Sequence, residues 1–205
     1  MPYLIAIYGS PRRQGNTAQL LDRSVDAAVQ AGATVDRVVL RDLKMSPCLE
    51  IYGCKKAGRC VIQDDFQRVY DQIEKADGIL LASPIFFYAV SAHTKILMDR
   101  CQSAWVKKHW IDKKPPGSRA LRRKGLFISV GATRGKRLFD GALLSVRYFL
   151  DALDIALWDS LLVRGCDEEG DVLRQEEALQ TASRLGRGLV AALQSNASAA
   201  EHTDD

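Results

Sequence analysis

Short apolar segments alternate with amphipathic segments along most of the chain. Residues 78–82 are apolar at every position, which is typical of a parallel strand covered on both faces. Residues 17–31 instead place Leu21 and Val25 on one helical face and end before Gly32, a common helix stop. The pattern predicts strands at 3–8, 34–40, 78–82, 126–130 and 156–163. It predicts helices at 17–31, 64–75, 91–103, 138–153 and 168–193.

Regular strand–helix alternation predicts one α/β domain with a parallel sheet and right-handed crossovers. Five strands of this kind fit a flavodoxin-like three-layer sandwich with strand order 2-1-3-4-5. The 205 residues suffice for one large core, which we assign to residues 1–194. The small, polar residues 195–205 are expected to form a disordered tail. Residues 105–124 are rich in Lys and Arg and form a basic insertion between the third helix and the fourth strand.

Composition narrows the cellular setting and the partners. No apolar run approaches the roughly 20 residues of a membrane span, so no membrane partner is expected. Met1 and Pro2 lead directly into an apolar strand, without the pattern of a signal peptide. Five cysteines without an even, disulfide-like framework suit a reducing, cytoplasmic setting. The net charge of +4 is too small to predict a nucleic-acid partner.

The loop after the first strand has the composition of a phosphate-binding loop. In a doubly wound sheet, ligands bind beyond the carboxyl ends of the strands where the strand order reverses, here between strands one and three. Gly15 lets the backbone approach a ligand, and the following helix offers unpaired N–H groups. The candidate phosphate ligands in this loop are Ser10, Arg12 or Arg13, Gly15, Asn16 and Thr17. No Gly-Lys-Ser/Thr follows, so a Walker A loop is not predicted, and an ordinary capped turn is the alternative.

The loop after the third strand carries three consecutive aromatic residues, whereas loops usually expose polar groups. A planar heterocycle would explain them, since it needs an apolar face and backbone groups along its edge. The candidate ring-binding residues are Pro84, Ile85, Phe86 and Phe87, and Ser91 is the expected N-cap of the next helix. Internal packing or a dimer contact is the alternative. After strand four, Gly131 would let a ligand edge approach the backbone, although a plain turn also explains it.

These motifs together carry a family resemblance. Gly-Ser-Pro-Arg-Arg-Gln-Gly-Asn-Thr at 9–17 resembles the phosphate loop of the NADPH-dependent FMN reductase and iron–sulfur flavoprotein group of flavodoxin-like proteins. The segment 83–87, followed by 91–95 and 99–100, resembles the ring-binding loop and helix of that group. The resemblance covers at least residues 3–100. It implies that FMN binds with its phosphate on Ser10, Arg12, Asn16 and Thr17 and with its isoalloxazine on 84–87.

The resemblance also concerns three cysteines, spaced Cys48-x5-Cys54-x5-Cys60. In the iron–sulfur members, the cysteine spacing of this segment is similar to Cys-x2-Cys-x2-Cys-x5-Cys. This chain has Ile51 at the second cysteine position. Because a [4Fe–4S] cluster normally needs four thiolates, we expect no iron–sulfur cluster and no metal. The alternatives are a site-differentiated cluster or a zinc site with an outside ligand. Cys101 and Cys166 are expected to be buried structural residues.

By resemblance, the function is that of an FMN-dependent NAD(P)H oxidoreductase, with NAD(P)H as co-substrate and no protein residue required as an acid or base. The electron acceptor would be a quinone, a free flavin, a metal ion or a protein. The alternative is a non-enzymatic flavodoxin-type carrier, although such carriers usually present an acidic face and this chain is net basic. A homo-oligomer is expected. The basic insertion is interpreted as a solvated, mobile loop or, alternatively, as a lid or partner-facing loop near the flavin that attracts the 2′-phosphate of NADPH.

Overall fold

A computed structural model of the protein describes residues 1–114 and 123–201, with side chains through Ser195. Within these ranges five parallel strands form one sheet in the order β2-β1-β3-β4-β5. The strands are β1 (Tyr3–Tyr8), β2 (Thr34–Val39), β3 (Gly78–Pro84), β4 (Arg123–Gly131) and β5 (Ile155–Arg164). The predicted fold class and strand order are confirmed.

Helices cover both faces of the sheet. Along the described chain they are α1 (Asn16–Gln30), α2 (Cys54–Ala57), α3 (Phe66–Lys75), α4 (Ala92–Arg100), α5 (Gln102–Val106), α6 (Asp140–Ala152) and α7 (Glu176–Glu201). Residues of α1 and α7 share one apolar core with β1, β3 and β4. Residues of α3, α4 and α6 share the core on the other face. Since β3 and β4 contribute to both cores, their apolar runs are explained by burial on two sides.

Helices α1 and α7 approach each other closely at a small residue. A Cβ atom on Gly186 would lie 2.1 Å from the carbonyl oxygen of Ser24, so no larger residue fits without a backbone shift. The Ser24 hydroxyl donates to the carbonyl of Ala182 at 2.8 Å and thereby satisfies a buried polar group. This contact fixes α1, and with it the loop that precedes α1, against the carboxyl-terminal helix.

Two helix predictions and the predicted start of the tail differ from the structure. The predicted helix 91–103 is interrupted at Cys101 and continues as α5 and one π-helical segment, Lys107–Ile111. The predicted start of the last helix at 168 is wrong, because Gly170 adopts φ 86° and a 3-10 turn, Asp171–Arg174, precedes α7. Helix α7 continues to Glu201, past Ser195 where the sequence predicts the tail to begin. Residues 202–205 lie outside the described residues.

The basic insertion lies at the amino end of the strands in its described part. The ammonium group of Lys108 donates to the carbonyl of Asp151 and to the carboxylate of Asp154, both at 2.8 Å. These contacts place it beside the end of α6, which leads into β5. The interpretation as a lid over a ligand at the carboxyl ends gains no support from residues 105–114, and 115–122 lie outside the described residues. Within the described chain, no helix is both long and apolar enough to cross a bilayer.

Candidate flavin site

A cavity of about 170 Å³ lies beyond the carboxyl ends of β1, β3, β4 and β5. Its walls come from four loops, and they include every predicted ligand residue except Phe87 and Ser91. The lining residues are Ser10, Pro11, Arg12, Gly15, Asn16, Thr17, Pro84, Ile85, Phe86, Val130, Gly131, Ala132, Cys166 and Asp167. The structure therefore brings the candidate phosphate loop and the candidate ring loop to one site at the switch point of the sheet.

The phosphate loop ends in a helix start that suits an anion. Gly15 is the N-cap of α1 and has no side chain to accept from the first backbone N–H groups of the helix. The positive end of the α1 dipole therefore adjoins the cavity, where Thr17 is almost fully buried. A Cβ atom on Gly15 would lie 3.0 Å from the Ser10 hydroxyl and 3.1 Å from Cβ of Arg12. Glycine thus allows the loop to fold tightly around the cavity.

The side chain of Asn16 is engaged by the protein itself. Its amide group donates to the carbonyl of Glu168 at 2.8 Å, and its oxygen accepts from the backbone N–H of Val172 at 3.2 Å. Arg12 reinforces the same connection, because its guanidinium donates to the carbonyl of Asp167 at 2.9 Å. Asn16 therefore holds the loop between β5 and α7 against the cavity.

The ring loop lines the cavity with its first residues and exposes its tip. Ile85 donates its backbone N–H to Val130 at 3.0 Å, which fixes the loop beside β4. Phe86 and Ala89 exchange two backbone hydrogen bonds, both 2.9 Å, across Phe87 and Tyr88. The ring of Phe86 is half exposed at the cavity, whereas the side chain of Phe87 is 100% exposed and does not line it.

Ser91 is the N-cap of α4, as predicted, and it is buried. Its hydroxyl accepts from the backbone N–H of Thr94 at 3.2 Å and donates to the carbonyl of Gly9 at 2.5 Å. Its own N–H donates to the Ser83 hydroxyl at 2.9 Å. Ser91 thus joins the loops that follow β1 and β3 from below the cavity.

Gly131 forms the cavity wall at the end of β4. A Cβ atom there would lie 2.7 Å from the side chain of Leu138, so glycine is required by packing as well as by the ligand hypothesis. The carbonyl of Gly131 accepts from the N–H of Gly165 at 2.8 Å, which joins the ends of β4 and β5. Beyond it, the guanidinium of Arg164 donates to the carbonyls of Gly135 and Lys136 and supports the loop between β4 and α6.

Sequence reasoning missed Cys166 and Asp167, which complete the cavity after β5. Burial raises the pKa of the Cys166 thiol, and the amide group of Gln175 donates to its sulfur at 3.1 Å. The thiol is therefore protonated at neutral pH. The topology could have indicated both residues, because the carboxyl ends of all parallel strands meet at one edge of the sheet and these residues follow the last strand. The predictions of burial for Cys101 and Cys166 are confirmed.

The cysteine segment before α3 is organised by Arg100. The guanidinium of Arg100 is 1% exposed and donates to both carboxylate oxygens of Asp64, at 2.6 and 3.1 Å. It also donates to the carbonyls of Ser46 and Ile62 and, through Nε, to the sulfur of Cys60 at 3.1 Å. Burial alone would raise the pKa of Asp64, but the hydrogen bonds from Arg100 and from two backbone N–H groups outweigh it and lower that pKa.

The donor set of this segment does not fit a four-thiolate cluster. Cys48, Cys54 and Cys60 are free thiols and partly buried. Burial, and to a lesser extent the other two cysteines, raises the pKa of Cys54. Within the described residues no group of three or more histidine, cysteine or acidic side chains is arranged to hold a metal ion. Ile51 supplies no ligand, and Cys60 already accepts from Arg100.

Comparison with known proteins places this chain in a family. An iron–sulfur flavoprotein of Methanocaldococcus jannaschii is 34% identical over 131 residues, which cover 64% of this chain and 63% of that protein. A putative NAD(P)H-dependent FMN-containing oxidoreductase of Bacillus subtilis is 24% identical over 89% of this chain and 95% of its own length.

Among solved structures, an NAD(P)H:quinone oxidoreductase from Methanothermobacter marburgensis superposes with a TM-score of 0.67 at 19% identity, over 92% of this chain and 96% of that chain. At this identity the likeness shows the shared fold. The family profile described as NADPH-dependent FMN reductase matches residues 2–156, which contain three of the four loops that line the cavity. The chain belongs to the NADPH-dependent FMN reductase family.

Proposed function

We propose that the protein is an FMN-dependent oxidoreductase that takes electrons from NAD(P)H and passes them to a quinone, a free flavin, a metal ion or a protein. The observation that carries this proposal is the cavity itself. An uncapped helix start beside Arg12 and an apolar loop of Pro84, Ile85 and Phe86 share its walls. An anion and a flat ring on one molecule match this pair of surfaces.

The residues divide the binding of FMN between them. Ser10, Arg12 and Thr17 would hold the phosphate together with the first N–H groups of α1, because these groups are donors or cations at the cavity edge. Pro84, Ile85 and Phe86 would cover the ring, and Gly131 would allow its edge to approach the end of β4. Asn16 keeps Asp167 and Cys166 in place and so closes the remaining wall.

FMN held by these residues would supply the redox chemistry, the transfer of two electrons from NAD(P)H to the acceptor. The protein contributes position, an apolar face and neutralisation of the phosphate charge. The cavity wall also carries Asp167 and the Cys166 thiol, whose pKa is raised by burial, and neither is needed for hydride transfer.

Flavin reduction by the nicotinamide alone tests the proposal. The purified chain is loaded with FMN, freed of excess flavin and mixed without oxygen with NADPH or NADH in a stopped-flow spectrometer. We expect the visible flavin absorption to bleach without any partner protein. A chain that retains FMN but stays oxidised would instead be a flavodoxin-type carrier, and a chain that retains no FMN at micromolar concentration would refute the site.

The donor preference is tested on the same instrument. Arg134 lies against Gly165, which directly precedes the cavity residue Cys166, and a Cβ atom on the glycine would lie 2.8 Å from a guanidinium nitrogen. Its charge also acts on the pKa of the cavity residue Cys166. We expect Arg134→Ala to slow reduction by NADPH more than reduction by NADH, because NADPH carries the additional 2′-phosphate. Arg137→Ala is the control, since Arg137 already pairs with Asp140 at 2.9 Å.

A further inference from the structure

A second cavity lies on the other side of the phosphate loop from the candidate flavin cavity. It encloses about 180 Å³ between α1 and the carboxyl ends of β1 and β2. Ser10 and Arg12 line both cavities. The other walls of the second cavity are formed by Tyr8, Arg13, Ala18, Asp22, Arg37 and Val39. Two of the residues that would hold the phosphate of FMN therefore form the boundary between the two cavities.

The pairing of β1 with β2 explains why these side chains meet. The two strands are parallel, with Tyr8 beside Val39. Residues that lie beside each other on neighbouring strands point to the same face of a sheet, as do residues two apart on one strand. Since Tyr8 belongs to the core on the α1 face, Val39 also faces α1, and so does Arg37, two residues before it. Arg37 accordingly pairs with Asp22 of α1 at 3.6 Å.

Positive charge predominates along the lining of the second cavity. Three arginines, Arg12, Arg13 and Arg37, share the lining with one carboxylate, that of Asp22. Every side chain in the ion pairs of Arg13 and Arg37 is at least one-third exposed, and pairs of this kind contribute little to stability. Both arginines can therefore exchange a carboxylate for a phosphate, which the planar guanidinium binds through two parallel hydrogen bonds. The charge of this cavity favours an anionic ligand.

The remaining surface of the second cavity suits a nucleoside. Tyr8, Ala18 and Val39 contribute apolar surface, against which a flat ring can pack. Burial raises the pKa of Tyr8, so its hydroxyl keeps the proton and donates to Asp22 at 2.6 Å. The carboxylate of Asp22 has further lone pairs, which can accept from the hydroxyl groups of a ribose. An adenosine phosphate carries all three groups that this lining can bind: an anion, a sugar with hydroxyls and a flat ring.

We propose that the second cavity binds the adenosine phosphate half of FAD, so that the chain takes the flavin dinucleotide with its diphosphate across Ser10 and Arg12. This inference rests on the proposed function and extends its ligand from FMN to FAD. In FAD the adenosine phosphate is bonded to the phosphate of the FMN half. A ligand that fills both cavities must cross the two residues that they share, and FAD crosses them in one covalent molecule. FMN ends at this boundary and makes no use of Arg37 or Val39.

Calorimetric titration of the flavin-free chain with FMN, FAD and ADP tests this inference. We expect FAD to bind at least as tightly as FMN, and ADP, which contains no flavin, to compete with FAD. Arg37→Ala should raise the dissociation constant of FAD by about ten-fold and leave that of FMN unchanged, because it removes a charged hydrogen bond to the adenosine phosphate half alone. Val39→Glu should act in the same direction, since it places a negative charge in the second cavity. Arg23→Ala is the matched control, because Arg23 is an exposed arginine of α1 that lines neither cavity.

The outcomes separate this inference from the proposed function. A chain that binds FMN more tightly than FAD, or an Arg37→Ala variant that weakens both flavins equally, would overturn the inference and leave the proposed function standing. NAD(P)H also carries an adenosine diphosphate. If Arg37→Ala raises the KM for NADPH of the FMN-loaded chain but does not change FAD binding, the second cavity serves that adenosine and the inference is wrong. A chain that binds neither flavin would refute both. Circular dichroism checks that each variant is folded.

Discussion

The guanidinium of Arg100 uses all five of its N–H groups inside the protein. It lies 4.5 Å from the ring centroid of Phe66 and joins α4 to the segment that carries the free cysteines. A fork of donors on the planar carboxylate of Asp64 is the geometry in which arginine is not replaced by lysine. One buried cation thereby orders an irregular stretch that has little regular secondary structure of its own.

Arg100→Ala should therefore destabilise the chain strongly. Removing one partner of a buried ion pair typically lowers the free energy of unfolding by about 3–5 kcal/mol, since the charge of the other partner stays buried without an opposite charge. We expect a loss of this order in the free energy of unfolding by urea. Arg37→Ala is the control, because Arg37 pairs with Asp22 and Asp26 at the exposed surface and such pairs contribute at most about 1 kcal/mol. Equal losses in the two variants would contradict the role of Arg100.

The same pair should make stability depend on pH at the acid end. The pKa of Asp64 is lowered in the folded chain, so the unfolded state binds the proton more readily. The stabilisation is complete above the ordinary aspartate pKa of about 3.9 and is lost as the pH falls through the folded value. Urea unfolding at a series of acidic pH values gives the free energy of unfolding as a function of pH. This free energy should fall less steeply with falling pH in Asp64→Asn than in the wild type. An identical pH dependence in the two proteins would assign the acid sensitivity to other carboxylates.

Single residues also mark the limit of what the sequence predicts. Composition and position predicted the cap at Ser91 and the glycine at the α1 start, because both follow from local backbone rules. The side-chain partners of Asn16 were not predictable, since they lie more than 150 positions away on the loop after β5. The exposure of Phe87 depends on a turn geometry that its residue types disfavour.

At the scale of elements, β1 and α4 are joined at one very close contact. A Cβ atom on Gly9 would lie 2.0 Å from the Thr94 hydroxyl oxygen and 2.7 Å from the carbonyl of Ala82. The N–H of Gly9 donates to that carbonyl at 2.7 Å, so the backbone there has little room to move. The phosphate loop therefore starts from a rigid point shared by β1, β3 and α4.

Gly9→Ala should disturb this junction. We expect a loss of about 1–3 kcal/mol in unfolding free energy, the usual cost of overpacking a core, together with weaker FMN binding. Fluorescence titration with FMN and urea unfolding measure the two effects. Gly135→Ala serves as the control, because its Cβ atom would meet nothing closer than the Tyr88 hydroxyl at 3.7 Å. Unchanged FMN affinity in Gly9→Ala would show that the junction at Gly9 does not support the FMN site.

Most elements were predictable because their apolar positions repeat with the period of a strand or a helix. The ends of the elements were harder to predict where the backbone conformation changes but the pattern of apolar and polar residues does not. Helix α4 gives way to α5 at Cys101, and Leu97 before the break and Ala104 after it are buried, so periodicity carries no sign of the break. Helix α7 starts late because Gly170 is left-handed and the 3-10 turn Asp171–Arg174 follows it. The sequence does not reveal this, since the acidic residues at 168–169 are also typical of a helix start.

At the scale of the whole molecule, the cavity joins the phosphate and ring loops with the loops that follow β4 and β5. A ligand that binds the folded state alone stabilises it by mass action. FMN at one hundred times its dissociation constant should add about 2.7 kcal/mol to the unfolding free energy. Thermal unfolding with and without FMN measures this shift. Riboflavin, which lacks the phosphate, is the comparison. An equal stabilisation by FMN and by riboflavin would show that the phosphate loop does not contribute to binding.

The wall formed by Cys166 and Asp167 lies after residue 156, where the match to the family profile ends. That wall is nevertheless tied to the phosphate loop, because Arg12 donates to the carbonyl of Asp167 and Asn16 donates to the carbonyl of Glu168. We therefore expect that exchanging residues 165–171 for those of a relative would alter flavin retention as well as the choice of electron acceptor. A loop near the far end of the sequence would in this way govern how firmly the first loop grips its ligand.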